Sequence, residues 1–382
     1  MGTPEIPNIL IIDDHPEEHR NLHKLRFEES NKAKVNTKHP QAVELEDLLT
    51  AQLVLVDNYL DSWPERDGLA ALSCKPADGL ALASVLRRHL HNREQDSPTA
   101  FALYTGKIED VASPFPPDYR EHALAGINNL EWVFQKAKPG ADEHTTDQIV
   151  ELASSVLRLP QNWPSDSSEQ PMRQLAGLLG IQFEDEANEL LLEDVAACLP
   201  PIHELSQWSH GLAVLRWLLQ RILPFPCFLW DTYRLAARFR VDHSALCDAL
   251  KGETPLQEKL SGCRYKGVLA DFLGPRWWRS KVELFLWEFT DGNSSDVEVV
   301  QAAIRQAAND NLLASQPPDH PIVCVNSHYQ PLETFYRMEQ AVRIRPDDWP
   351  AYADQAWTTI ELAKSEPKLR SLVIREDLEL LG

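Results

Sequence analysis

Asp13 and Asp14 stand side by side where the aliphatic run NILII, residues 8–12, ends. A third acid, Asp57, ends the run QLVLV at 52–56, Thr105 ends TAFALY at 99–104, and Lys136 or Lys138 follows EWVFQ at 131–135. Carboxylates gathered within a few ångströms of one another cannot all stay ionised without a counter-charge. A hard divalent cation with oxygen ligands, kept partly hydrated, meets that need, and Mg²⁺ is the usual one. With an ammonium and a hydroxyl alongside, the set suits phosphoryl transfer to a carboxylate nucleophile, because metal and lysine offset charge on the transferring oxygens.

These residues converge only if a fold brings the runs together. The first 160 or so residues alternate short apolar runs with amphipathic stretches, the pattern of βα units around a parallel sheet. Strands are expected at 8–13, 33–37, 52–57, 99–105 and 131–136, and helices at roughly 17–28, 41–51, 78–91, 117–125 and 146–158. In an open parallel sheet, ligands sit beyond the carboxyl ends of the strands, which is where the acids, the threonine and the lysine fall.

At 382 residues the chain is too long for one typical core. Residues 159–171, LPQNWPSDSSEQP, are rich in Pro, Ser and Asp without a period and read as a linker between a domain at 1–158 and a mainly helical one at 172–382. Nine of the eleven tryptophans lie beyond residue 160, enough bulk for a second core. Near the end, HPIVCVNSHY at 320–329 suggests a buried strand and WPAYADQAWTTIELAKSE at 349–366 a helix.

The order of residues in the first half resembles the receiver domains of two-component response regulators. The acid pair in ILIIDDHP, the strand ending LVLVDNYL, the helix ADGLALASVLRRH, the hydroxyl in LYTGK and a terminal lysine come in that family's order and roughly its spacing, over residues 8 to about 158. The resemblance implies an α/β fold: a doubly wound, flavodoxin-like five-stranded parallel sheet, here followed by a mainly α-helical C-terminal domain of no recognised family. It also implies that Asp57 accepts a phosphoryl group from a histidine kinase. Asp13, Asp14, Asp57 and the backbone carbonyl of Tyr59 would hold Mg²⁺, while Thr105 and the lysine would bind phosphoryl oxygens. Lys138 has the family's following proline, but Lys136 has Val133 and Phe134 at the family's offset and is preferred. Two features depart from the family: extra residues within 60–77, and Val133 where many receivers carry an aromatic residue that moves with the threonine.

The implied protein is a signalling phosphoacceptor rather than an independent enzyme, relaying its state to the helical domain. A homodimer or another signalling protein is a further partner to consider, and a phosphate sink or adaptor without output is the alternative. A second alternative is a DNA-binding regulator through YRLAARFRVDHSALCDALKG at 233–252, which is patterned like a helix-turn-helix. Residues 221–281 carry eleven Lys and Arg against six Asp and Glu, but the net charge of −21 opposes wholesale nucleic-acid binding, and Arg240 takes the turn position where glycine is expected.

Other signals have plainer readings. HPEEH at 15–19 matches a zinc-peptidase pattern, but Pro16 marks a helix start and need not put both histidines on one face. GPRWWRSK at 274–281 reads as packed aromatics with cationic neighbours, and RIRPDDWP at 343–350 as a turn entering a helix. Six scattered cysteines without a CxxC pair read as reduced core thiols. The absence of a long apolar run and of a leader-like N-terminus leads to the expectation of a cytoplasmic protein without a membrane segment.

Overall fold

Strands β1 (Asn8–Ile12), β2 (Lys34–Lys38), β3 (Leu53–Val56), β4 (Ala100–Thr105) and β5 (Trp132–Gln135) form a parallel sheet in the order β2-β1-β3-β4-β5. The structure is a computed structural model and describes residues 6–17, 27, 32–69, 75–91, 98–112, 121–136, 143–160, 163, 169–183, 185, 188–207, 211–252, 254–309, 312, 314–315 and 319–382. The strand order is that of the flavodoxin-like doubly wound class. Strands β1, β3 and β4 are almost wholly buried, as sequences that are apolar on both faces demand in a parallel sheet. The edge strand β2, KVNTK, is polar and half exposed, which suits an edge.

Register does the positioning. Ile12 pairs with Val56, so Asp13 and Asp57 leave the sheet level with one another. The Asp57 amide donates to the Ile12 carbonyl at 2.9 Å, and the Asp13 amide to Lys38 at 3.1 Å. Thr105 pairs with Gln135, and the Lys136 amide then donates to the Thr105 carbonyl at 2.7 Å.

Helices follow at α1 (Leu45–Thr50), α2 (Pro64–Gly68), α3 (Gly79–His91), α4 (Ile108–Ala112), α5 (Glu121–Ile127) and α6 (Glu143–Leu157). Helices α2 and α4 are short additions to the expected set. Most of the helix expected at 17–28 and the first part of that at 117–125 lie outside the described residues. Helix α3 begins where Asp78 accepts a hydrogen bond from the Ala81 amide at 2.8 Å. Its first residue must be glycine, because a Cβ on Gly79 would lie 2.0 Å from the Asp57 carbonyl oxygen. Gly79→Ala is therefore expected to cost about 2–4 kcal/mol by forcing backbone apart beside the site. Urea denaturation of the two proteins measures it, and a loss below experimental error would contradict the close approach.

The chain divides into two compact units: residues 1–179, 201–220 and 267–273, and residues 180–200, 221–266 and 274–382. In the first, α7 (Glu169–Leu178) starts within the segment expected to be a linker, and Leu159 and Trp163 are buried there. The apolar edge strand β5 is covered by residues much later in the chain. Phe272 packs edge-on against Trp132 and Phe134, with centroids 4.9 and 6.2 Å away. Glu131, fully buried, accepts from Arg216 at 2.7 Å and from the Phe101 amide at 2.5 Å.

The second unit is mainly helical, with α11 (Thr232–Phe239), α12 (His243–Lys251), α13 (Pro255–Leu260), α14 (Arg279–Phe289) and α15 (Val297–Ala307) around one apolar core. Helices α8 (Glu189–Ala197), α9 (Ile202–Gln207) and α10 (Leu212–Trp217) precede these in the chain, α9 and α10 belonging to the first unit. Two-stranded ladders join β6 (Leu229–Trp230) to β7 (Trp277–Trp278) and β8 (Ala341–Ile344) to β9 (Ala356–Thr359).

The C-terminal expectations need correction. Residues 320–329 form no strand: His320 and Tyr329 have left-handed backbones, φ 51° and 59°, and between them Ile322 and Val325 make only isolated bridges. The helix expected over 349–366 is strand β9 followed by helix α16 (Ile360–Ser365), whose N-cap Thr359 accepts from the Leu362 amide at 3.1 Å. Trp357, Thr358 and Thr359 are aromatic or β-branched and favour the strand. RIRPDDWP likewise closes β8 at Ile344 and turns without entering a helix.

Candidate functional site

Beyond the carboxyl ends of β1 and β3, one carboxylate oxygen from each of Asp13, Asp14 and Asp57 lies within 4.8 Å of the others. Among the described residues no other His, Cys, Asp or Glu cluster has this ligating geometry. Asp13 and Asp57 are buried, at 1% and 8% exposure. The Lys136 ammonium donates to Asp13 Oδ2 and to Asp57 Oδ2, both at 2.7 Å, and lies 5.7 Å from the Tyr104 ring centroid. Lys138 lies outside the described residues.

Burial is the largest influence on Asp57 and raises its pKa. Asp13 and Asp14 push the same way, and Lys136 opposes them without prevailing. For Lys136, burial alone would lower the pKa, but Asp57 and Asp13 together outweigh it and raise it. The Lys136 pairing therefore stabilises the fold fully below the ordinary lysine pKa of about 10.4 and fades as pH climbs through the raised value. Asp57 acts in the opposite sense. Its unfolded form gives up a proton first, so folding is penalised as pH rises from about 3.9 through the raised folded value. Asp57→Asn, which leaves Lys136 paired with Asp13, is thus expected to be more stable than wild type at pH 7 without divalent metal, the gap closing as pH falls below 4 or so. Thermal melting across pH tests this, and a less stable variant at pH 7 would show that the Lys136 attraction prevails over burial.

The remaining oxygens are organised by backbone. Asp13 Oδ1 accepts from the His15 amide at 2.8 Å, and the Tyr59 amide approaches Asp57 Oδ1 at 3.4 Å. The Tyr59 ring lies beneath the Lys107 ammonium at 4.9 Å, and its hydroxyl donates to Asp110. Thr105 is fully buried, its hydroxyl accepting from the Lys107 amide at 3.3 Å. Val133 is 1% exposed, inside the apolar core.

A contact the sequence did not show comes from the extra residues after Asp57. The Ser62 amide donates to Asp14 Oδ2 at 2.7 Å. The neighbouring Trp63 is buried with its indole N–H on Gln41 at 3.2 Å, which holds the insertion in place beside the acids. A backbone N–H leaves no trace in residue type, and only chain geometry reveals it.

The donor set fits a hard divalent cation: three carboxylates at one point, all oxygen, with burial that makes an unscreened charge costly. Asp13, Asp14 and Asp57 would hold it, with the Tyr59 carbonyl as the further ligand that the resemblance suggests.

The other motifs pack rather than assemble. In 233–252 two helices do flank a turn, with Arg240 left-handed at φ 61° and Asp242 capping α12 through the Ala245 amide at 3.0 Å. Phe239 and Leu246 are fully buried, while α12 exposes Ser244, Asp248 and Lys251, a face with no net positive charge. Trp277 and Trp278 of GPRWWRSK are buried, Trp278 stacking on Phe228 at 5.5 Å. Glu18 and His19 of HPEEH lie outside the described residues. No described helix is long and apolar enough to cross a membrane.

No family model matches the chain, and no curated protein matches it. Three chains of solved structures do. One is the two-component response regulator RcsB in its complex with DNA, 14% identical, with a TM-score of 0.21 over 56% of this chain and 99% of that one. The fold assignment rests on the strand order of this sheet itself: a five-stranded parallel α/β unit that fits a receiver-like domain, followed by a helical region.

Proposed function

We propose that the chain is a response-regulator-like signalling protein in which Asp57 is the phosphoacceptor. The observation that carries this is the meeting of Asp13, Asp14 and Asp57 with the Lys136 ammonium at 2.7 Å from two of them. With a histidine kinase as donor, an Asp57 oxygen attacks phosphorus as the P–N bond to the donor imidazole breaks, and the leaving nitrogen takes a proton from solvent. Lys136 then shifts its hydrogen bonds from the carboxylates toward the phosphoryl oxygens, and the Thr105 hydroxyl, two positions past the strand pairing of Leu103, donates to another. Bound Mg²⁺ would supply charge neutralisation on the transferring oxygens.

The test is incubation with acetyl phosphate and Mg²⁺, followed by intact-mass measurement. Wild type should gain one phosphoryl group, and Asp57→Asn none. Uptake by the Asn variant, or by neither protein, would remove Asp57 from this role.

Two further observations bear on the output of the phosphorylated state. Val133 is locked in the core where a mobile aromatic would stand, and this favours a sink or adaptor that drains phosphate from a kinase. Trp132, Phe134 and Lys136 alternate onto one side of β5, so the strand that ends in the site also grips Phe272, which favours relay toward the later chain. Equal partner binding by wild type and Asp57→Ala would select the sink. The DNA reading has weaker support, because α12 offers no cationic face.

A further inference from the structure

Helix α12 carries His243 and Cys247 one turn apart, on one face, and that face meets Thr232 at the start of α11. Three polar atoms come together there. His243 Nε2 lies 3.1 Å from the Thr232 hydroxyl and 3.5 Å from Cys247 Sγ, and the Cys247 thiol is also hydrogen-bonded to Thr232. Tyr233 fixes the imidazole, stacked on it at 3.6 Å with the two rings 7° from parallel. All four residues are partly exposed, so a solvated ion can reach them.

The spacing has a meaning beyond a hydrogen bond. Tetrahedral zinc, with bonds of about 2.0–2.1 Å to imidazole nitrogen and about 2.3 Å to thiolate sulfur, holds those two atoms about 3.5 Å apart. His243 Nε2 and Cys247 Sγ already stand at that separation, so exchanging the thiol proton for an ion needs little movement of either side chain. The surroundings favour a cation. Asp231, Asp242 and the exposed Glu333 place negative charge beside His243, and Cys247 has Asp242 and Asp248 near it against Lys251. Burial nevertheless holds His243 below its ordinary pKa, which leaves the ring neutral at pH 7, as ligation requires. Burial raises the Cys247 pKa, so the thiol keeps its proton until an ion displaces it to solvent.

We propose that His243 Nε2 and Cys247 Sγ bind a thiophilic divalent cation of the zinc and cadmium class, with the Thr232 hydroxyl alongside and water completing the shell. Nitrogen and sulfur donors select such ions, whereas the all-oxygen set of Asp13, Asp14 and Asp57 suits Mg²⁺, so the two sites take different metals. Two strong protein ligands rather than four make the site weaker than a structural zinc centre, and therefore reversible. It is independent of the phosphoacceptor reading, and neither stands or falls with the other.

The test is titration of the full chain with Cd²⁺, in a thiol-free reductant and saturating Mg²⁺, following the thiolate-to-cadmium charge-transfer absorbance. One saturable band is expected, displaced by excess Zn²⁺. It should vanish in Cys247→Ser, require about tenfold or more Cd²⁺ in His243→Gln, and persist unchanged in Cys74→Ser, a cysteine outside the described residues. Absence of a saturable band overturns the proposal, as does a band that survives Cys247→Ser, resists Zn²⁺, or forms with equal affinity in His243→Gln. Should His243→Gln fail to fold, the nearly isosteric Cys247→Ser and the zinc displacement decide the matter.

Discussion

Lys136→Met is expected to slow phosphoryl uptake from acetyl phosphate about 100-fold, the usual cost of deleting one preorganised donor to a developing anion. The ammonium touches Asp13 and Asp57 at 2.7 Å each, so it is positioned before any donor arrives and needs only to exchange acceptors during transfer. The same substitution has a second consequence. Without the ammonium, three carboxylates share one partly buried point with no cation, and like charges so close disfavour ionisation of all of them. The variant should therefore melt below wild type in EDTA and recover more than wild type does when Mg²⁺ is added. Quenched time courses read by intact mass, together with melts at several Mg²⁺ concentrations, measure both effects. Lys138→Met serves as the comparison, and a normal rate in Lys136→Met with a slow one in Lys138→Met would exchange the roles of the two lysines.

The largest expected loss of stability lies elsewhere, at Glu131. Its carboxylate is fully buried and accepts from Arg216 Nε at 2.7 Å and the Phe101 amide at 2.5 Å, while Arg216 also reaches Asn129 at 2.7 Å. Arg87, whose Nη2 is buried without a hydrogen-bond partner among the described residues and whose pKa is lowered by burial, feels the same acid. Removing the carboxylate leaves one guanidinium without compensation, a second without its partner, and a buried amide without an acceptor. Glu131→Ala is expected to cost about 3–5 kcal/mol by urea denaturation. Arg216 is 30% exposed in its side chain and can rehydrate, so Arg216→Met should cost less than Glu131→Ala. The double-mutant cycle should give a coupling of about 1–3 kcal/mol between the two. A coupling near zero would mean that the pair is only a bystander to the packing around Phe272.

The buried carboxylate also explains why β5 tolerates an apolar edge. An exposed WVF edge invites pairing with another chain. Here segments 201–220 and 267–273 belong to the same compact unit as the sheet and cover it through Arg216, Gln220 and Phe272.

The acid cluster was legible in the sequence because parallel strands are apolar on both faces, so each strand end is marked by the first polar residue. Asp13, Asp57 and Thr105 needed no more than that, and all five strands fall within a residue or two of their expected bounds. Two of the three C-terminal errors, at 320–329 and 349–366, have a common origin. Short apolar runs such as PIVCV and AWTTIEL carry no period long enough to separate strand from helix, and the outcome depended on left-handed residues and on a partner strand fifteen residues upstream. Residue type at strand ends, then, determined the sheet and the acids, and left Lys136 and Lys138 as alternatives. Tertiary structure decided what surrounds them: the Ser62 amide on Asp14 and the Glu131–Arg216 pair across 85 residues. The reason is physical. A hydrophobic period is written locally in the chain, whereas a hydrogen bond between distant segments depends on where the packed elements finally bring a backbone N–H or a guanidinium.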